Sequence, residues 1–90
     1  MTAMSVWKYE FGVDARRRFD MPKSAKIVSV HEQNGRVCLW ALVDPKASLE
    51  TRYFILCGTG QKIDIGPVTY LGTAHLMGGN LVLHVFEDLS

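Results

Sequence analysis

Apolar residues recur at every second position along most of this chain, which is the spacing of β-strands. At the start, Trp7, Tyr9, Phe11 and Val13 alternate with polar residues. This pattern predicts a half-buried strand with an aromatic inner face. Strands are predicted by the same reasoning at residues 6–13, 25–31, 36–43, 51–57, 68–77 and 81–87.

Two hairpins connect four of these strands. Asn34-Gly35 is a strong signal for a two-residue turn, and it predicts pairing of Gln33 with Arg36, His31 with Cys38, Ser29 with Trp40 and Ile27 with Leu42. The returning run VCLWALV is apolar on both faces, so we predict a central strand covered on both sides. The last hairpin turns at residues 78–80. Its register places either His75 or Thr73 opposite His84, depending on which residues form the turn.

The segment DARRRFDMP, residues 14–22, is predicted to be a short exposed edge segment followed by a turn at Pro22. A short helical turn over residues 14–18, with Asp14 as its cap, is the alternative. No convincing amphipathic helix is found elsewhere. The chain is therefore predicted to be one small all-β domain, residues 1–90: a compact antiparallel sheet of about six strands, curled into a small barrel or a two-layer sandwich.

Length and composition limit the classes of function. The 90 residues are 48% hydrophobic and 21% charged, with a formal net charge of +1, which argues against a disordered chain and against general nucleic-acid binding. No apolar run is long enough for a membrane-spanning helix, and no secretion signal is evident, so a cytoplasmic protein without a membrane partner is expected. Strands that are apolar on both faces exceed what one small core buries, which favours a homo-oligomer, most simply a dimer.

Positive charge is concentrated in the first half of the chain, which has 7 basic and 5 acidic residues against 3 and 4 in the second half. Arg16, Arg17 and Arg18 are consecutive, so on a strand they cannot all point the same way. They fit either contact with an anion or another partner or a solvated edge that prevents aggregation. The complete set of candidate binding residues is Arg16, Arg17, Arg18, Trp7, Arg52 and Thr59.

The remaining chemistry-bearing residues give weaker signals. Gly58-Thr59-Gly60-Gln61 lacks the lysine and helix of a phosphate-binding loop and is predicted to be a turn, with a nest for a small anion as the alternative. A facing pair of His75 and His84 would suit a metal or a small hydrolase, and His31 beside Cys38 would suit a thiol nucleophile. Neither has ligand spacing or a third orienting group. We therefore expect no catalytic residue, metal or cofactor.

The segments WKYEF, MPKSAKIVSV, QNGRVCLWALVDP, ETRYFILCGTG, YLGT and GGNLVLHVFE resemble a family of short bacteriophage- and prophage-encoded proteins of unknown function. CLWALVDP, GTG and HVFE are the most distinctive pieces. The resemblance implies a phage protein acting in the cytoplasm of its host, and it supplies no catalytic residues. The arginine run lies outside the resembling segments.

These observations favour a non-enzymatic binding protein over an enzyme. The leading hypothesis is an inhibitor of a host factor, such as an antiviral defence protein, that blocks its target by protein–protein contact. Three alternatives are kept: sequestration of a small anionic nucleotide signal between subunits, a small hydrolase using the histidine pair, and an accessory protein of the virion.

Overall fold

The computed structural model describes residues 3–12, 14–64 and 66–90. It contains seven strands, and no α-helix occurs within those ranges. The chain folds into two antiparallel sheets, which confirms the all-β prediction and identifies a two-layer sandwich rather than a closed barrel. The strands are β1 (Ser5–Glu10), β2 (Arg16–Pro22), β3 (Lys26–Gln33), β4 (Arg36–Val43), β5 (Leu49–Gly58), β6 (Val68–Leu76) and β7 (Leu81–Asp88).

One sheet has three strands in the order β1-β4-β3, and the other has four in the order β2-β5-β7-β6. Their inner faces pack on each other because apolar residues at alternate positions point into the space between them. Phe11, Phe19 and Phe54 lie at the centre of this core, with ring centroids 5.7 to 6.4 Å apart. Both sheets therefore contribute to one continuous hydrophobic cluster.

The Asn34-Gly35 hairpin forms as predicted near its turn. Both turn residues have positive φ, and Gln33–Arg36, His31–Cys38 and Ser29–Trp40 are the observed pairs. The prediction for Ile27 is wrong, because a β-bulge between Ile27 and Ser29 shifts the register and pairs Ile27 with Ala41. Strand β4 is central, as expected. Its inner side chains are buried, whereas Trp40 and Leu42 on its outer side are only partly covered.

The prediction for residues 14–22 needs correction. The alternative helical turn does not form at residues 14–18, and the edge segment is a regular strand that pairs over seven residues with β5. The predicted turn follows it, where the Ala25 amide donates to the Pro22 carbonyl at 3.1 Å. Strand β2 is an edge strand, as expected. Phe19 and Met21 alternate with charged residues and fill the core, and this burial explains the regular strand.

Strand β1 is shorter than predicted and ends at Glu10; the expected inner position of Val13 lies outside the described residues. Phe11 is fully buried and Tyr9 is partly buried. Trp7 keeps 39% of its surface exposed because β1 is at the edge of its sheet.

On one side of the sandwich, Gly72 allows the edge strands of the two sheets to approach each other closely. Strands β3 and β6 approach so closely that a Cβ atom on Gly72 would lie 2.8 Å from the Cβ atom of Val30. Any larger residue at position 72 would push the two sheets apart at this side.

Candidate functional site

The outer face of the four-stranded sheet, called the outer face below, presents charged, aromatic and hydrogen-bonding side chains close together. Side chains alternate along each strand, so residues that do not point into the core point here. The outer face carries Arg16 and Arg18 from β2, Tyr53, Ile55 and Cys57 from β5, Val82, His84, Phe86 and Asp88 from β7, and Tyr70, Thr73 and His75 from β6.

Part of the outer face is covered by the connection between β5 and β6. These two strands are parallel with β7 between them, so the connecting segment has to return along the sheet. Gln61–Asp64 line a small cavity together with Arg16, Ile55 and Cys57. This cover explains why Ile55 and Cys57 are buried although they point away from the core.

Arg16, Arg18, Tyr53 and Asp88 border a shallow hollow of about 220 Å³ on the outer face. Neither Arg16 nor Arg18 forms a salt bridge with a described residue. Hydrogen bonds from Ser90, and to a lesser extent the positive charge of Arg16, lower the pKa of Asp88. The hollow therefore combines two guanidinium groups that form no salt bridge with a described residue, one ionised carboxylate and an aromatic ring.

Aromatic rings are exposed in the hollow, at Tyr53, and further across the same face, at Tyr70. Tyr53 has 51% of its surface exposed, and Tyr70 has 57%. Phe86 opposes Tyr70 across the sheet, and the two ring centroids are 5.6 Å apart. Half-exposed tyrosines on a rigid sheet present apolar area with little loss of side-chain entropy on binding.

A chain of hydrogen bonds runs across the β6–β7 side of the outer face. Tyr70 Oη is 2.5 Å from Thr73 Oγ1, which is 3.0 Å from His84 Nδ1. His84 Nε2 is 2.7 Å from Thr59 Oγ1. The four side chains come from the separate segments YLGT, HVFE and GTG, so only the folded chain brings them together.

Both ring nitrogens of His84 are hydrogen-bonded to hydroxyl groups. A hydroxyl donates or accepts as needed, so the chain accommodates either tautomer of the imidazole. None of the carboxylates in the described ranges forms a hydrogen bond with His84. The arrangement fixes the histidine ring and presents the exposed Thr59 hydroxyl to solvent.

The candidate binding residues from the sequence are divided by the fold. Arg16, Arg18 and Thr59 are exposed at the outer face or its border. Arg17 points inward, where its Nη1 donates to the Phe11 carbonyl at 2.7 Å and its guanidinium lies 4.9 Å from the Phe19 ring centroid.

Arg52 also points inward, and Trp7 lies in the other sheet. The Arg52 guanidinium forms a two-bond ion pair with Glu87, each bond 2.7 Å long, and donates to the Ala25 carbonyl at 2.6 Å. The hydrogen bonds to Glu87 raise the pKa of Arg52 more than burial lowers it.

Sequence reasoning missed Tyr53, Tyr70, Phe86 and Thr73. The signal was available for Tyr53, since in TRYFILC it alternates with Arg52 and Phe54 and must face the opposite side from them. For Tyr70 and Thr73 the bulge between Tyr70 and Gly72 breaks simple alternation.

The histidine and cysteine pairs also have defined positions. Thr73, not His75, opposes His84, so the second of the two predicted registers is observed. His31 opposes Cys38 on the other sheet. Burial raises the pKa of the Cys38 thiol, so it stays protonated at neutral pH. No group of three metal-ligating side chains occurs within the ranges that the structure describes.

Comparison with known proteins gives a family but no activity. Residues 3–90 match the family described as a domain of unknown function, DUF7352, and the chain belongs to this family. No curated protein and no solved structure matches the chain. The part of the chain that is described contains no helix with the length and hydropathy needed to cross a membrane.

Proposed function

We propose that this chain is a non-enzymatic binding protein that blocks a bacterial host protein by covering part of its surface with the outer face. One observation carries the proposal. Tyr53 and Tyr70 each expose about half of their surface, 51% and 57%, on the same sheet face that presents Arg16 and Arg18 without an intramolecular salt bridge among the described residues.

The chemistry of these side chains defines the partner. Tyrosine and arginine are the residue types that most often dominate the binding energy of protein interfaces. Two guanidinium groups at one edge, without a salt bridge to a described residue, favour a partner with carboxylates at the rim of its binding surface. Such pairs steer association and fix its orientation. The proposed partner is therefore a protein with an apolar patch bordered by acidic residues.

A bacterial host as the source of the partner is supported by the resemblance of CLWALVDP, GTG and HVFE to short phage-encoded proteins. In this proposal the protein acts in the host cytoplasm, and a factor of antiviral defence is its target.

Capture of a small anionic nucleotide is the second candidate. The hollow beside Arg16 and Arg18 has a volume of about 220 Å³ and one open aromatic ring, Tyr53. Stacking on an aromatic ring with phosphate bound by arginine would suit such a ligand. The ionised Asp88 in the same hollow opposes an anion, so a protein partner is favoured.

Site-specific photo-crosslinking in the bacterial cytoplasm tests the proposal. A photoreactive phenylalanine replaces Tyr53 or Tyr70, and the matched control places it at Val28, an exposed residue of β3 in the three-stranded sheet. We expect one and the same host protein to be crosslinked from Tyr53 and Tyr70 but not from Val28.

The isolated pair is then compared among charge variants. Arg18→Glu should weaken binding at least about tenfold, as expected for a contact worth about 1.4 kcal/mol or more. Lys46→Glu, an exposed change in the loop between β4 and β5, should leave binding unaltered. Equal binding by both variants would rule out the outer face. A thermal shift with cyclic dinucleotides that Arg18→Glu abolishes would favour the second candidate.

A further inference from the structure

A different surface, the free edge of β1, presents an unused row of backbone hydrogen-bonding groups. The Phe11 amide donates to the Val37 carbonyl at 3.0 Å, and this bond sets the phase of the β1–β4 ladder. In an antiparallel pair, residues alternate between pointing their backbone groups toward the neighbour and away from it. Ser5, Trp7 and Tyr9 therefore bond to β4. Val6 and Lys8 direct their N–H and C=O groups away from it.

The other three sheet edges are less open to an added strand. Edges β3 and β6 face each other, in contact at Val30 and Gly72. On β2 the bond from the Leu56 amide to the Ala15 carbonyl sets the phase, so the residues with outward backbone groups include Arg16, Arg18 and Asp20. All three carry charged side chains, which protect an edge strand from pairing with another strand.

The N-terminal half of β1, together with Met4 just before it, also exposes apolar side chains on both faces of the strand. Met4, Val6 and Trp7 have 49%, 57% and 39% of their surface exposed. An edge strand with open backbone groups and apolar side chains is a template for another strand. A charged side chain begins to protect this edge only at Lys8.

We infer that β1 pairs antiparallel with β1 of a second copy of this chain, which joins two three-stranded sheets into one sheet of six strands. The occupant is a second copy because this edge is complementary to itself. Outward groups must oppose outward groups, so the two-fold axis passes through a residue rather than between two residues, at Val6, Trp7, Lys8 or Tyr9.

The features of the strand select one of these four registers. An axis at Val6 limits the overlap of the two β1 strands to residues 5–7. An axis at Lys8 places two ammonium groups side by side, which is unfavourable. An axis at Tyr9 extends the overlap to Gly12, whose φ of +71° ends the strand. An axis at Trp7 keeps the overlap within residues 4–10. It pairs Trp7 with its own copy, and it lays the Lys8 stem over Val6 of the second chain.

Mass measurement over a wide range of protein concentration tests this dimer. The full chain should reach twice the monomer mass. Val6→Pro should remain at monomer mass, because proline removes an outward N–H while the bonds to β4 stay in place. The matched control Val6→Ala keeps the N–H and should retain the dimer. Far-UV circular dichroism verifies that each variant is folded.

A cysteine at the axis provides the second measurement. Trp7→Cys should form a disulfide-linked dimer on mild oxidation, since Cα atoms of a non-hydrogen-bonded pair lie about 4.5 Å apart, within the range a disulfide spans. The disulfide-linked dimer is detected on a non-reducing denaturing gel. The control Tyr53→Cys, which places an exposed thiol on the other sheet, should run at monomer mass on the same gel.

Three results would overturn the inference: a monomer at every concentration, a dimer that persists in Val6→Pro, or a Trp7→Cys variant that does not crosslink. The outcome is independent of the proposed function, since β1 is in the three-stranded sheet and the outer face belongs to the four-stranded one.

Discussion

The inner and outer faces of the four-stranded sheet use arginine in opposite ways. Arg17 and Arg52 on the inner face bind backbone carbonyls, and Arg52 also binds the Glu87 carboxylate. Arg16 and Arg18 on the outer face form no salt bridge with the described residues. A basic cluster in a sequence therefore contains two kinds of arginine, those that stabilise the fold and those available to a partner. Only side-chain direction separates them.

The largest expected effect is at the buried ion pair. Arg52 and Glu87 side chains are only 17% and 13% exposed, so Arg52→Met leaves a carboxylate without its partner in the core. We expect a loss of about 3–5 kcal/mol in the free energy of unfolding, measured by chemical denaturation. The double variant Arg52→Met with Glu87→Leu should recover most of the loss. A single variant within about 1 kcal/mol of the original chain would contradict the inner role of Arg52.

Arg17→Ala should cost less, about 2 kcal/mol. It removes one charged hydrogen bond to the Phe11 carbonyl and the contact of the guanidinium with the Phe19 ring. Arg17→Lys is the matched variant. Lysine keeps the positive charge but lacks the planar guanidinium group, so the free energy of unfolding of Arg17→Lys should lie between those of the original chain and Arg17→Ala. If Arg17→Ala unfolds at the same denaturant concentration as the original chain, Arg17 is not a stabilising arginine.

A third variant tests a polar group beside Arg52. Tyr9 Oη is buried and has no hydrogen-bond partner among the described residues. Tyr9→Phe removes this unsatisfied group and should raise the free energy of unfolding by about 1 kcal/mol at neutral pH. A decrease in stability would instead show that the hydroxyl has a partner.

The same residue predicts a dependence on alkaline pH. Burial raises the pKa of Tyr9 above its ordinary value of 10.0, although Arg52 opposes this shift. The folded state therefore holds the phenolic proton more tightly than the unfolded state. Its contribution to stability is complete below about pH 10 and is lost as the pH rises through the folded-state pKa. Stability should fall more steeply above pH 10 in the original chain than in Tyr9→Phe.

The smallest expected effect on stability is at the outer arginines. Arg16→Ala and Arg18→Ala should each change the free energy of unfolding by less than about 0.5 kcal/mol, because exposed side chains without a partner contribute little. A loss close to that of Arg17→Ala would remove the distinction between the two faces.

Local patterns predicted some elements well. The hairpin of β3 and β4 was predictable to within one bulge, because Asn34-Gly35 specifies the turn and pairing spreads outward from it. The bulge was not predictable. Ile27, Val28 and Val30 are all apolar, so the local pattern does not mark which of them is extra.

The candidate site was predicted less well than the fold. Arg16, Arg18 and Thr59 were identified from charge and turn composition, whereas the hydrogen-bonded chain through Thr73 and His84 depends on the register of a distant hairpin. Thr59 and His84 are 25 residues apart in the sequence. A shift of one residue in the register of β7 would point the His84 side chain to the opposite face of the sheet, away from Thr59 and Thr73.

Alternating side chains were enough to predict the strands and to place neighbouring arginines of β2 on opposite faces, because alternation is a local property of an extended chain. How completely each face is buried, and by which residues, was set by tertiary packing. Burial of a side chain depends on which residues pack over its strand, and these residues belong to other segments of the chain. Phe11, which follows β1, packs against Phe19 of β2, and the segment after β5 covers Cys57. For that reason Arg17 stabilises the fold while Arg16 and Arg18 remain at the surface.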